Sequence, residues 1–128
     1  MKQIWIVDDD EEMGRAIGLM LTLLDCEATL FFSARTSVQA LLSGKRPDLM
    51  IVDINMPEVS GLDLIEFLRR RHEWKDTPII MLSSESADTM VERALQLGAD
   101  AYVLKPVTLE ELDKAMAVSF SKHTIVDK

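Results

Sequence analysis

This sequence predicts an α/β fold, a parallel sheet covered by helices on both faces, and three regularities predict it. Apolar runs of strand length recur, at Ile4-Trp5-Ile6-Val7, Leu49-Met50-Ile51-Val52, Ile79-Ile80-Met81-Leu82 and Ala101-Tyr102-Val103-Leu104. They are continuous rather than alternating, as strands buried on both faces must be. Between them the apolar residues fall three or four apart, the spacing of an amphipathic helix. Each run also stops at a group that can bind a cation or a phosphate: Asp8-Asp9-Asp10, Asp53, Ser83-Ser84 and Lys105-Pro106.

Taken in order, Ile4 to Val7 opens the sheet, and Met13, Ala16, Ile17, Met20 and Leu24 follow one face of a first helix, with Asp9 or Asp10 as its N-cap. Ala28 to Phe32 reads as the second strand. Val38, Leu41 and Leu42 mark a short second helix ended by Gly44 and Pro47. The third strand delivers Asp53 to its carboxyl edge, where Asn55, Met56 and Pro57 signal a loop. Ser60 with Asp63 then starts a helix that carries Leu62, Ile65 and Leu68 inward and ends in Arg69-Arg70-Arg71, cations suited to a helix C-terminus. Pro78 opens the fourth strand. Met90, Ala94 and Leu97 mark the fourth helix, closed by Gly98. After Lys105-Pro106, Thr108 with Glu111 caps a fifth helix bearing Leu109, Leu112, Met116 and Phe120. Residues 1–120 therefore read as one domain, and residues 121–128 as a frayed tail or the start of a linker.

The bulk properties agree with one domain. A chain of 128 residues with 48% hydrophobic content can bury its own core. A net charge of −8 argues against nucleic-acid or anionic-membrane binding, which uses clustered Lys and Arg. The lone Cys26, read as a core thiol, excludes an internal disulfide and suits a reducing cytoplasm. No apolar run approaches the roughly 20 residues needed to span a bilayer. Trp5, Trp74 and most of the Met residues read as packing, and His72 and His123 as solvated.

Five strands alternating with five helices fit a flavodoxin-like doubly wound (βα)5 three-layer sandwich with sheet order 2-1-3-4-5. In that order strands one and three flank the switch point, and ligands bind beyond their carboxyl ends. Asp8, Asp9 and Asp53 then meet in one crevice. Two carboxylates at about 4 Å repel by roughly 4 kcal/mol at an effective dielectric near 20, so a cation is expected among them. An open all-oxygen site suits Mg²⁺, or Mn²⁺. With Lys105 as a fixed positive charge and Ser83 as a hydroxyl, the set suits phosphoryl transfer.

The pair Asp8-Asp9, Asp53 in D-x-N-M-P followed by Gly61, then Ser83, then Lys105-Pro106, stand in the right order on the right strand ends. From about Lys2 to Phe120 the chain resembles the receiver domain of bacterial two-component response regulators. The resemblance implies that Asp53 accepts a phosphoryl group from a histidine kinase or a histidine phosphotransfer protein, or from acetyl phosphate. It implies Asp9, Asp53 and the Asn55 carbonyl as direct Mg²⁺ ligands, Asp8 acting largely through water, and Lys105 paired with the acyl phosphate through a cis Lys105-Pro106 turn. Ser83 turns toward the phosphoryl group and Tyr102 follows, remodelling the face of the fourth helix, fifth strand and fifth helix for a downstream effector. Asn55 and Glu85 occupy positions that tune phosphoryl lifetime, and both match the chemotaxis regulator, which implies a short-lived phosphoform.

Val107, Ser84 and Ala101 depart from the commonest pattern, replacing a frequent Phe, a usual Ala and an acid of one large subfamily. Met116 to Phe120 is not basic, against that DNA-binding subfamily and its dimer. No direct nucleic-acid or membrane contact is expected, whereas a homodimer stays open. Nothing after Phe120 is long enough for an effector domain, so a stand-alone receiver and the N-terminal piece of a longer chain are the two expectations. The reading is a signalling phosphoacceptor, not a metabolic enzyme. Two others compete. A haloacid-dehalogenase-type phosphohydrolase would use Asp8 and Asp10, but the acidic pair expected near its C-terminal end and a cap insertion are missing, and Asp53 would have no role. A receiver-like interaction module would leave Asp53 unphosphorylated.

Overall fold

The computed structural model describes residues 1–123 and alternates strands with helices throughout: β1 Lys2–Val7, α1 Glu11–Leu23, β2 Cys26–Phe31, α2 Ala34–Leu42, β3 Leu49–Asp53, α3 Gly61–Arg69, β4 Ile79–Ser83, α4 Asp88–Gln96, β5 Ala101–Leu104 and α5 Leu109–Lys122. All pairings are parallel, in the order β2-β1-β3-β4-β5. The sheet order and the three layers expected from the sequence are therefore those observed.

Alternation along the strands explains why the apolar runs are continuous. Ile4, Ile6, Ile51, Ile80 and Leu82 join Ile17 and Leu21 of α1 and Leu112 and Met116 of α5 in one buried cluster. Their neighbours Trp5, Val7, Val52, Ile79 and Met81 join Leu41 of α2, Leu64, Ile65 and Leu68 of α3, and Ala94 of α4 in the other. Successive side chains point to opposite faces, so a two-sided core needs every position apolar.

The helix starts follow local chemistry. Asp10, not Asp9, caps α1, its carboxylate accepting from the Met13 N–H at 3.1 Å. Ser60 and Asp63 form a reciprocal capping box on α3, and the Thr108 hydroxyl accepts from the Glu111 N–H. Gly44 and Gly98 take positive φ after α2 and α4. β2 begins at Cys26, two residues earlier than expected, and burial pushes that thiol's pKa up, as a core position should.

One expectation is extended and one needs correction. Arg69 stands in the last turn of α3 as expected, and its guanidinium also donates to the carbonyls of Gly98, Lys75 and Thr77 and meets Asp100 Oδ2 at 3.3 Å. His123 is not simply solvated. Its Nε2 lies 2.9 Å from the same Asp100 oxygen, and Lys122 Nζ donates to the Asp100 carbonyl. These contacts extend α5 through Lys122, past the expected boundary at residue 120. His72 is exposed, as expected. The rest of the tail, residues 124–128, lies outside the described residues.

Candidate functional site

The site forms where β1, β3, β4 and β5 end. Asp53 is the last residue of β3 and 3% exposed, and Asp8, directly after β1, is 1% exposed. Asp9 is exposed beside them. Because Asp10 serves α1 as its cap, the Asp9 carboxylate stays available to the crevice. One oxygen from each of Asp8, Asp9 and Asp53 lies within 4.8 Å of the others.

Lys105 bridges the two buried acids, its Nζ 3.2 Å from Asp53 Oδ1 and 3.3 Å from Asp8 Oδ2. The Lys105 N–H donates to the Ser83 carbonyl, which ties the ends of β5 and β4 together, and the peptide to Pro106 is cis. Burial raises the Asp53 pKa, and Asp8 raises it further, against the lowering pull of Lys105, to about 6. Burial alone would lower the Lys105 pKa, but Asp53 and Asp8 outweigh it and raise the value. Three carboxylates against one lysine leave the crevice with more negative than positive charge. An all-carboxylate set with one accessible member suits a hard divalent cation that keeps several waters. The residues therefore fit Mg²⁺ or Mn²⁺.

Gly61 holds the loop after β3 against the site. A Cβ there would stand 2.2 Å from the Asp53 carbonyl oxygen and 2.8 Å from Ile54 Cα, so any side chain would displace the backbone that carries Asp53. Its own N–H donates to the Ile54 carbonyl.

Ser83, the last residue of β4, is fully buried, and its Oγ accepts from the Glu85 N–H at 2.9 Å. The Tyr102 hydroxyl donates to the Glu85 carbonyl at 2.9 Å. The backbone of Glu85 is thus held from both ends by Ser83 and Tyr102. The sequence marked Glu85 for its side chain; its backbone role left no signal, because any residue supplies an N–H and a C=O. Asn55 is exposed at the rim. All the sequence-predicted site residues thus gather at this edge, with Tyr102 joined through Glu85. Asp10 belongs to the α1 cap, which disfavours its use as a hydrolase's second acid.

Residues 4–117 match the sequence model of the family described as the response regulator receiver domain. This chain is a member of that family. The KDP operon transcriptional regulatory protein KdpE of Escherichia coli is 32% identical over 126 residues, a match covering 97% of this receiver and 53% of KdpE. Chemotaxis protein CheY1 of Helicobacter pylori is 34% identical over 119 residues, covering 91% of this receiver and 94% of CheY1. The solved structure of the Vibrio cholerae chemotaxis protein CheY4 matches with a TM-score of 0.84 at 26% identity, covering 93% of this receiver and 98% of that chain. The chain thus spans about half the length of KdpE and nearly all of CheY1. It is a receiver of the two-component phosphorelay type. No helix among the described residues is long and apolar enough to cross a membrane.

Proposed function

We propose that this receiver accepts a phosphoryl group on Asp53 and converts it into a change of the α4–β5–α5 face that a downstream effector reads. The observation that carries the reading is the buried Asp53 carboxylate held 3.2 Å from Lys105 Nζ beside Asp8 and Asp9. In the transfer an Asp53 oxygen attacks phosphorus. The O–P bond forms as the P–N bond of a phosphohistidine breaks, and the imidazole leaves with the electron pair. The donor is a histidine kinase or a histidine phosphotransfer protein, and acetyl phosphate would serve by giving up its acetate. With a pKa of about 6, Asp53 is largely ionised at neutral pH and competent to attack.

Asp9, Asp53 and the Asn55 carbonyl would hold Mg²⁺ or Mn²⁺, with Asp8 acting largely through water. When bound, the ion supplies the positive charge that the carboxylates and phosphoryl oxygens require. Lys105 would exchange one carboxylate contact for a phosphoryl oxygen. The Ser83 hydroxyl would leave the Glu85 N–H and donate to the phosphoryl group, and Tyr102, bonded to the Glu85 carbonyl, would follow the same segment. A differential affinity of about 1 to 3 kcal/mol between two states suffices for a 5- to 150-fold shift. Asn55 and Glu85 tune how long the phosphoryl group stays, with a short lifetime expected. The protein acts in the cytoplasm as a signalling phosphoacceptor that catalyses only its own phosphorylation and dephosphorylation; the single, buried Cys26 supports the reducing compartment.

The test is intact-protein mass after incubation with Mg²⁺ and acetyl phosphate, beside a metal-free sample and Asp53→Asn. Gain of one phosphoryl group by the wild type with Mg²⁺ alone is expected. Equal labelling of Asp53→Asn would remove Asp53 from the acceptor role.

A further inference from the structure

The outer face of α2 and α3 is not used by the phosphorylation site, and it carries a groove of about 520 Å³ lined by Val38, Leu42, Val59 and Phe67. Leu42 is 64% exposed, Val59 41% and Phe67 36%, a concentration of apolar surface that water disfavours. Along its α3 wall runs a charge pattern. Asp63 and Phe67 lie one turn apart on α3, and Arg71 follows two residues past the helix end, so that acid, aromatic ring and cation line one side in that order. The Arg71 N–H donates to the Leu68 carbonyl, closing a tight turn just after α3, and its guanidinium lies 5.4 Å from the Phe67 ring centroid.

This pattern reverses its sign about Phe67. Turned end for end and laid against itself, the ridge sets Asp63 against Arg71 at both ends and Phe67 on Phe67 at the centre. That is the condition for an isologous interface, in which one patch complements itself about a two-fold axis. The charges are held only by exposed contacts. Arg71 lies over the Phe67 and Trp74 rings and 3.8 Å from Glu73, and Asp63 uses one oxygen, Oδ2, to accept from the Ser60 N–H at 3.3 Å. We propose that a second copy of this chain docks on the α2–α3 face, antiparallel along α3, with the two-fold axis at Phe67. The apolar groove supplies the attraction, because exposed ion pairs contribute little, and the Asp63–Arg71 pairs set the register. Each chain's net charge of −8 opposes association, but charges more than about 8 Å apart are largely screened at physiological salt, whereas contacting pairs persist.

This dimer would leave the α4–β5–α5 face and the phosphorylation crevice open, so it stands or falls independently of the function proposed above. Disulfide trapping of Phe67→Cys under mild oxidation reads the axis directly, since a cysteine on a two-fold meets its own copy, and Cys26 is buried and does not compete. A covalent dimer is expected for Phe67→Cys and not for Leu19→Cys or Val118→Cys, which test α1 and α5. In sedimentation velocity, Arg71→Asp should weaken wild-type self-association about tenfold or more by placing two acids together, with the melting temperature checking its fold. Wild type that remains monomeric at every concentration, or trapping at Leu19 or Val118 in place of Phe67, would overturn the proposal.

Discussion

Charge is buried at both edges of this sheet, and the two edges resolve it in opposite ways. At the amino edge, the Asp100 carboxylate accepts from the Ile79 N–H at 2.8 Å, meets Arg69 at 3.3 Å and lies 2.9 Å from His123, while Arg69 also satisfies three carbonyls. Positive and negative groups are matched there, and the network joins α3, the start of β4, the end of α4 and the end of α5. At the carboxyl edge Asp8 and Asp53 share one Lys105, with the Asp9 carboxylate close beside them. The contrast separates two uses of the same side chains. Matched charge fastens elements together, whereas unmatched charge keeps a site ready for a cation and a phosphoryl group at a cost in stability.

Removing one partner from the matched edge should have the largest effect. Arg69→Met keeps most of the side-chain volume but leaves three carbonyls and a buried carboxylate without their donor. Loss of about 3 to 5 kcal/mol is expected, the range for breaking a buried ion pair, measured by urea denaturation. A loss below about 1 kcal/mol would mean that the network does not fasten the fold and would end the comparison.

At the unmatched edge the sign reverses. Asp53 holds its proton to about pH 6 in the folded chain, above the ordinary 3.8. Between those values the folded state binds more protons than the unfolded state, so this group makes the metal-free protein less stable as pH rises, with the full penalty above pH 6 and none below about 4. Asp53→Asn should therefore gain about 1 to 3 kcal/mol at pH 7.5 in chelator, with the gain shrinking toward zero near pH 4. Added Mg²⁺ should raise the melting temperature of the wild type more than that of the variant. A variant less stable than the wild type at pH 7.5 would show that Lys105 alone balances the crevice.

The two edges also differed in how much of them could be read beforehand. The carboxyl edge was legible because its residues sit at strand ends: a run such as Leu49 to Val52 announces a strand, and Asp53, Ser83 and Lys105 follow such runs directly. Once the sheet order is known, those ends must converge. The amino edge was not legible, because Arg69, Asp100 and His123 come from three separate elements and are joined only by packing. Arg69 is bent back to carbonyls six and eight residues on, and nothing in a basic triplet distinguishes that arginine from its solvated neighbours. Asp10 outcompeted Asp9 for the α1 cap for a similar reason: either fits by spacing, and the choice follows from the site's geometry.

The smallest effect concerns strain, and it again falls at the carboxyl edge. Glu58 has φ +69°, and the Val59 N–H donates to the Pro57 carbonyl at 2.8 Å, closing a three-residue turn on it. Positive φ is costly for a residue with a Cβ, by roughly 1 to 2 kcal/mol, and turns of this kind are rare and strained. Among the described residues the other positive φ values belong to Gly44, Gly98 and Asp25; glycine adopts that region freely, and aspartate more readily than glutamate. The strained turn is needed because Gly61 must lie directly against the Asp53 carbonyl, leaving little chain to return from β3 to α3. Glu58→Gly removes the Cβ conflict but frees the unfolded chain, and the balance should leave a gain of about 0.5 to 1 kcal/mol, seen as a rise of a few degrees in melting temperature. If that variant instead melts lower, the strain lies elsewhere, and the unmatched charge of Asp8, Asp9 and Asp53 alone would account for the cost of keeping this edge ready.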